Sequence, residues 1–447
     1  MAQTEGVLTA RATVLVAGTA LAVRLAYLWA VYDGPAALWH PDTELWKIVA
    51  ADPAQWLGTP ERMPFYPLYV GLCAWLFGPT LLAPVLGQIL VDTATCVLVA
   101  RIGAHLDPRA SVPAGLFAAL SPTQVVLACV VLGDTFFTFF AAGALLAALG
   151  WIERPRPGAA LALAVWAGLA LLNRAMVWPL LAFTPVAMVA LAVARGNGLR
   201  PAAVHAAAFA AVCALCAAPV VVRNAAEYGA ASLTSQSGTH LAFWIVPLVR
   251  EAVDGTPQSV GGAEMNAALE RRLPDPAART NPFAVSEALT ALAREKLAEF
   301  GPAPMAEVWA MGAAINLLSP ATLMIPPVMQ LPRTGFYATQ GDGPLDKAVN
   351  FVWRNDNATY ARWLVAGAAV ELPLKLLALA GFLAALVRPR ARLAAAVLAG
   401  WVVFLLAIYG PVASAKYRLP AEPVFAAFSA LALLALRDRR AESRHAG

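Results

Sequence analysis

The sequence predicts an all-α polytopic membrane protein of about ten transmembrane helices, with further interfacial helices at one membrane surface. Three observations predict it. Only 13% of the 447 residues are charged and 60% are hydrophobic, whereas a soluble domain carries about a quarter charged residues. Apolar runs of about 17 to 25 residues, long enough to cross a hydrocarbon core, recur along the chain. The basic residues between them fall in alternate connections, as the positive-inside rule requires.

The runs place spans near 10–31, 80–103, 112–130, 133–152, 158–173, 176–194, 202–222, 360–387, 393–410 and 420–436. The first is too long for a signal peptide and has no small-residue cleavage site, so it reads as a span. Connections after the even-numbered spans carry Arg101 and Arg109, Arg154 and Arg156, Arg195 and Arg200, then Arg388, Arg390 and Arg392, and the tail carries Arg437, Arg439, Arg440 and Arg444. These segments, and both termini, are therefore expected in the cytoplasm. Three parts follow: residues 1–222 with a first outer loop at 32–79, an outer segment at 223–359, and residues 360–447.

Within the first loop, Thr43 to Trp56 reads as an interfacial helix with Trp46 and Trp56 at headgroup level, and a short apolar helix starts at Pro64. The apolar run Val308 to Met329 is broken by Pro320, Pro326 and Pro327, so it is expected to lie on or dip into the membrane rather than cross it. The five cysteines all lie in or beside apolar segments, which predicts no disulfide framework. Cys213 and Cys216 read as small apolar residues of a buried helix. The 32 Lys and Arg exceed 27 Asp and Glu, but the excess sits in short loops without interleaved aromatics, so no nucleic-acid partner is expected.

Ionisable residues at membrane depth are costly and mark function by default. Asp42 and Glu44 follow the first span, and Asp134 lies in the turn before the fourth. On the same face, against the positive-inside preference, stand Arg62, Arg174, Arg223, Lys416 and Arg418. A cationic cluster that breaks the charge rule calls for an anion, and a lipid-linked phosphate at the outer leaflet is the economical one. The carboxylates then suit proton removal from an acceptor.

Plainer roles stand beside these. Asp42 and Asp134 are favoured N-cap residues, and Glu44 suits a helix's first turn. Arg174 and Arg223 fit snorkelling helix ends. Arg24, inside the first span, is expected to pair with an acidic residue of the bundle. His40 and His240 have metal-ligand chemistry with Glu44, yet no ligand spacing supports a site, so structural or hydrogen-bonding roles are expected. No metal site or cofactor is assigned, and a divalent metal stays open.

The order of these pieces resembles the polytopic glycosyltransferases of the C superfamily (GT-C), particularly the family 39 branch of protein O-mannosyltransferases and lipid A aminoarabinose transferases. The resemblance rests on Asp42-Thr43-Glu44 after the first span, Arg62-Met63-Pro64-Phe65-Tyr66-Pro67-Leu68-Tyr69 with Leu76-Phe77-Gly78, and Ser121-Pro122 followed by Asp134. Leu172-Asn173-Arg174, then Arg223-Asn224 with Tyr228-Gly229, and Lys416-Tyr417-Arg418-Leu419-Pro420 complete it.

The resemblance implies Asp42 as general base, with Arg62 and Arg418 on the donor phosphate and Asp134 organising the cations. Glu44 joins the catalytic carboxylates, although Thr43 splits the usual acidic pair. Arg174, Arg223, Lys416 and Tyr417 join the phosphate set, and His40, Tyr66 and His240 the acceptor side. The long loop, including Ser237-Gly238-Thr239-His240, is left to recognise the acceptor.

The expected activity is inverting transfer of a monosaccharide from a polyprenyl-phosphate donor to an extracytoplasmic acceptor, in a bacterial inner membrane. A lipid-linked oligosaccharide polymerase, ligase or flippase is the alternative, using the same arginines without Asp42 as base. A small-molecule transporter fits less well, because its ionisable residues belong near mid-bilayer.

Overall fold

The computed structural model describes residues 8–446; the side chain of Arg444 lies outside the described residues. Among them the regular elements are helical, apart from one isolated bridge between Thr59 and Arg62. The chain opens with α1 (Ala10–Val31), α2 (Thr43–Ala51), α3 (Phe65–Phe77) and α4 (Leu82–Leu106). It continues through α5 (Ser111–Ala119), α6 (Pro122–Ala128), α7 (Asp134–Glu153), α8 (Pro157–Asn173), α9 (Trp178–Ala194) and α10 (Leu199–Tyr228). The long outer segment holds α11 (Gln236–His240), α12 (Val246–Val253), α13 (Gln258–Arg272), α14 (Pro282–Ala298), α15 (Pro302–Leu318), α16 (Pro326–Met329) and α17 (Pro344–Trp353). The last part is α18 (Ala358–Leu386), α19 (Pro389–Tyr409), the single turn α20 (Ala415–Arg418) and α21 (Glu422–Ala446).

Eight of the described helices are long and apolar enough to cross a membrane, and nine if α5 and α6 form one broken span. The remaining expected run is α8, an apolar helix of 17 residues. The run expected at 112–130 bends by 50° between α5 and α6. Pro122 causes this: it drives Ser121 into extended backbone, and Ser121 then caps α6 through the Gln124 N–H at 3.5 Å.

Breaking a helix inside a bundle orphans carbonyls, and Arg24 meets them. Fully buried in α1, it donates to the carbonyls of Ala119 at 2.9 Å and Ala118 at 3.4 Å, the last residues of α5. Its charge is paired with Asp92 of α4, the acidic partner expected for it. The second Asp92 oxygen accepts from Gln124 of α6 at 3.1 Å. One arginine thus joins α1, α4 and both halves of the broken span.

The connections expected in the cytoplasm share one end of the bundle. Arg109 bridges Asp107 and Asp438, and Arg388 lies 3.5 Å from Asp107. The acidic and basic residues singled out above lie towards the other end. Close backbone packing at two glycines fixes elements near them. At Gly381 a Cβ would stand 1.8 Å from the Phe428 carbonyl oxygen, so α18 and α21 touch there. At Gly312 it would stand 2.4 Å from the Gly410 carbonyl oxygen, which seats α15 on the turn before Lys416. Pro302–Leu318 is not among the helices that pass as spans, and its Val308 packs with Ile245, Val249, Tyr337 and Val412.

Candidate functional site

The turn before α2 releases a carboxylate. Asp42 holds the N-cap position, but its backbone is already helical (φ −70°, ψ −16°) and its side chain makes no capping bond. Neighbours hold the turn instead. Thr43 Oγ1 accepts from the His40 N–H at 2.8 Å, and His40 Nδ1 accepts from the Asp42 N–H at 3.1 Å. The Asp42 carboxylate is therefore free to reach across the chain to Lys416, whose Nζ lies 3.0 Å from Oδ2, with His40 Nδ1 at 3.6 Å.

Two protonation states follow. Burial, reinforced by the Lys416 charge, pushes His40 down to about 4, so its imidazole is neutral at pH 7 with the remaining ring proton on Nε2. Burial pushes the Asp42 carboxyl upward, but Lys416 and His40 outweigh it and hold the group below the ordinary carboxylate range. Asp42 is thus an ionised, one-third exposed carboxylate clamped by an ammonium.

Arg62 lies beside this pair, in the fields of both Asp42 and Arg174 and over the Trp46 ring at 5.8 Å. Its Nε is buried without a protein acceptor. Burial works against the Arg62 charge, and the Asp42 carboxylate supports it. The turn carrying Arg62 is closed by reciprocal backbone bonds with Thr59 at 3.1 and 3.2 Å. Arg223 grips that turn, donating to the carbonyls of Leu57 and Gly58 at 2.9 Å and Thr59 at 3.3 Å.

Behind Lys416, Arg174 meets Asp134 at 2.5 Å. Asp134 opens α7 but does not cap it: Gly133 is the N-cap residue, with no side-chain capping bond. Asp134 Oδ1 is buried with no hydrogen-bond partner in the protein. Burial disfavours the Arg174 charge, but Asp134 outweighs it and raises the guanidinium's pKa. The Tyr417 ring packs tilted against Tyr409 at 4.4 Å between centroids and lies 5.2 Å from the Lys416 ammonium. The structure therefore brings together His40, Asp42, Arg62, Asp134, Arg174, Lys416 and Tyr417.

Other expected site residues are engaged elsewhere. Glu44 points to the surface, where it accepts from Lys47 at 2.7 Å and Trp39 at 2.9 Å. Tyr66 is buried, donates to Gln88 at 2.6 Å and packs edge-on against Trp46, which makes it a spacer between α3 and α4. Arg223 serves the loop carbonyls named above. His240 is half-buried in α11, and its burial lowers its basicity. Among the described residues no group of three or more His, Cys, Asp or Glu side chains gathers as a metal site.

Arg418 departs furthest from expectation. It is buried, paired with Glu371 and with Glu422 at 2.8 Å, and bonded to Thr123 Oγ1 at 2.7 Å. It also donates to the carbonyls of Asn316, Leu317 and Ser319 at 3.2, 3.1 and 2.6 Å, meeting the orphaned C-terminus of α15. Lys375 joins the network 2.5 Å from Glu422, beside a void of about 20 Å³. In return, Asn316 of α15 grips the turn before Lys416, donating to Val412 O at 3.2 Å and accepting from the Ser414 N–H at 2.9 Å. Glu371, Lys375, Glu422 and Asn316 were not singled out from sequence. The signal was Glu371 and Lys375, four residues apart inside an apolar run.

The chain is thus an all-helical bundle with a cluster of acidic and basic side chains towards one end. Residues 60–222, about a third of the chain, match the family model described as Dolichyl-phosphate-mannose-protein mannosyltransferase. The structure is similar to the archaeal oligosaccharyltransferase AglB from Archaeoglobus fulgidus, in complex with an inhibitory peptide and a dolichol-phosphate. That match has a TM-score of 0.57 and 15% identity, covering 97% of this chain and 51% of that one. The apo form of the Archaeoglobus fulgidus oligosaccharyltransferase matches at 0.56 and 16% identity, covering 98% and 52%.

A weaker likeness, TM-score 0.41 at 17% identity over 93% of this chain and 77% of that one, is to ArnT from Cupriavidus metallidurans bound to undecaprenyl phosphate. No curated protein sequence matches the chain. The chain spans about half the length of the oligosaccharyltransferases it aligns with. Its fold is that of these oligosaccharyltransferase structures, and its residues 60–222 resemble the mannosyltransferase family model.

Proposed function

We propose that this chain transfers a monosaccharide from a polyprenyl-phosphate donor to an acceptor hydroxyl or amine, with Asp42 as general base. The observation that carries the reading is the Lys416–Asp42 pair at 3.0 Å beside Arg62, a guanidinium whose Nε has no protein acceptor. A phosphodiester is the anion this arrangement suits. It draws Lys416 away from Asp42 and completes the bonding of Arg62. Asp42, relieved of its ammonium, becomes more basic at the moment the donor is in place.

The acceptor then attacks the anomeric carbon opposite the phosphate, and Asp42 takes its proton. The carbon–oxygen bond to phosphate breaks, and the polyprenyl phosphate leaves with its new charge against Arg62 and Lys416. Attack from the opposite side inverts the anomeric configuration. Arg174, neutralised by Asp134, adds positive potential beside the cluster without a net charge. The dolichyl-phosphate donor in the family description and the dolichol-phosphate bound to AglB support this donor class. The basic loops at the far end support a working face outside the cytoplasm of a bacterial inner membrane.

Purified protein in proteoliposomes, given a labelled polyprenyl-phosphate monosaccharide and membrane acceptors, is expected to release polyprenyl phosphate. Failure to consume any such donor would remove the reading. Arg62→Ala is expected to weaken donor binding by about 1.5–3 kcal/mol, roughly ten- to hundredfold; undiminished binding would deny Arg62 its phosphate.

The pH profile provides a second check. Because the free enzyme holds the Asp42 carboxyl low, kcat/KM should persist down through the ordinary carboxylate range and fail only below it. Lys416→Met removes the chief opposing influence and leaves the upward push of burial, so the acid limb should move to higher pH. An unmoved limb would assign the titrating group elsewhere.

A further inference from the structure

Helix α17 has two unlike sides. Leu345, Val349 and Trp353 stand four apart, hence on one face, and are 80%, 45% and 74% exposed. The other side is fastened to the preceding loop. Lys347 Nζ donates to Tyr337 O at 2.5 Å, Asn350 Nδ2 to Gln340 O at 3.0 Å, and Phe351 meets Phe336 at 5.4 Å between centroids. Tyr337 is buried, and its hydroxyl donates to Pro411 O at 2.7 Å, on the turn that carries Lys416.

Only residues 354–357 separate α17 from α18, a membrane-crossing helix whose early turns expose Trp363, Val365 and Val370. The apolar stripe of α17 thus stands just before a helix whose exposed apolar side chains face hydrocarbon, at the end of the bundle that holds Asp42. We infer that α17 lies in the plane of the membrane surface, its Leu345–Val349–Trp353 stripe in the boundary between headgroups and acyl chains. Trp is suited to that depth, and an exposed apolar stripe opposite a polar, bonded side is the pattern of an in-plane helix.

The lipid is the occupant because only four residues tie the stripe to a membrane-crossing helix, which holds α17 close to the bilayer surface. Through Tyr337, α17 also braces the turn before Lys416 from the bilayer surface. Bilayer and catalytic turn are therefore linked by one short path of bonds.

The test places nitroxides at Leu345→Cys and Val349→Cys in the full chain in lipid nanodiscs, with Asp346→Cys as the control off the stripe. The native cysteines are buried or half-buried, so the unsubstituted chain supplies the background. Collisions with oxygen are expected to exceed those with a water-soluble nickel chelate several-fold at 345 and 349, and the order to reverse at 346. Chelate dominating at 345 and 349 would put the stripe in water and overturn the inference. Shielding from both reagents would mean a protein covers it, with the same result. The readout needs no turnover, so its outcome is independent of the proposed transferase activity.

Discussion

Asp42→Asn is expected to cut sugar transfer by about 10²–10⁴-fold while the donor still binds. Asparagine keeps the shape and the hydrogen-bonding oxygen that faces Lys416 but accepts no proton from an attacking hydroxyl. The turn should survive, because Thr43 and His40 hold it and the Asp42 side chain makes no capping bond. Donor affinity should rise rather than fall, because the carboxylate competes with the phosphodiester for Lys416 at 3.0 Å. Measuring transfer and donor binding together in membranes separates the readings. Wild-type turnover would remove Asp42 as base and favour a polymerase, ligase or flippase that uses the same cations. Loss of donor binding with turnover would make Asp42 part of the framework.

Much of this architecture was legible because lipid imposes a simple rule on sequence. A helix that crosses hydrocarbon must be apolar for about 20 residues, and each expected run appears as a helix or, at Ser121–Pro122, as a broken pair. Pairing was harder to read. Asp42 and Lys416 are 374 positions apart, and only their presence on one predicted face linked them. Arg174 and Asp134 were found by the same rule.

The rule failed where it could not tell which way a side chain turns. Glu44, two residues from Asp42, faces the surface and Lys47. Arg418, two residues from Lys416, faces inward, because one helical turn places such neighbours on different sides. The acids that receive Arg418 do not stand out because Glu371 sits in a run read simply as a membrane span. An intramembrane carboxylate requires a partner, and here that requirement redirects an arginine from substrate to framework.

That redirection has a measurable consequence in Arg418→Met. Removing the guanidinium leaves Glu371 and Glu422 with Lys375 as their remaining cation, and strips the carbonyls of Asn316, Leu317 and Ser319 of their donor. Deleting one partner of a buried ionic network costs about 3–5 kcal/mol, so the thermal midpoint in detergent should fall substantially. Arg418→Met combined with Glu371→Gln should recover part of the loss, because the uncompensated charge goes with it. An arginine acting on donor phosphate would behave differently: its loss would weaken donor binding at unchanged midpoint, and Glu371→Gln would restore nothing. Lys416 lies two residues away and its turn is held by Asn316, so the destabilised variant should also bind donor weakly. The double variant should regain binding in step with its midpoint, which identifies Arg418 as the residue that positions Lys416.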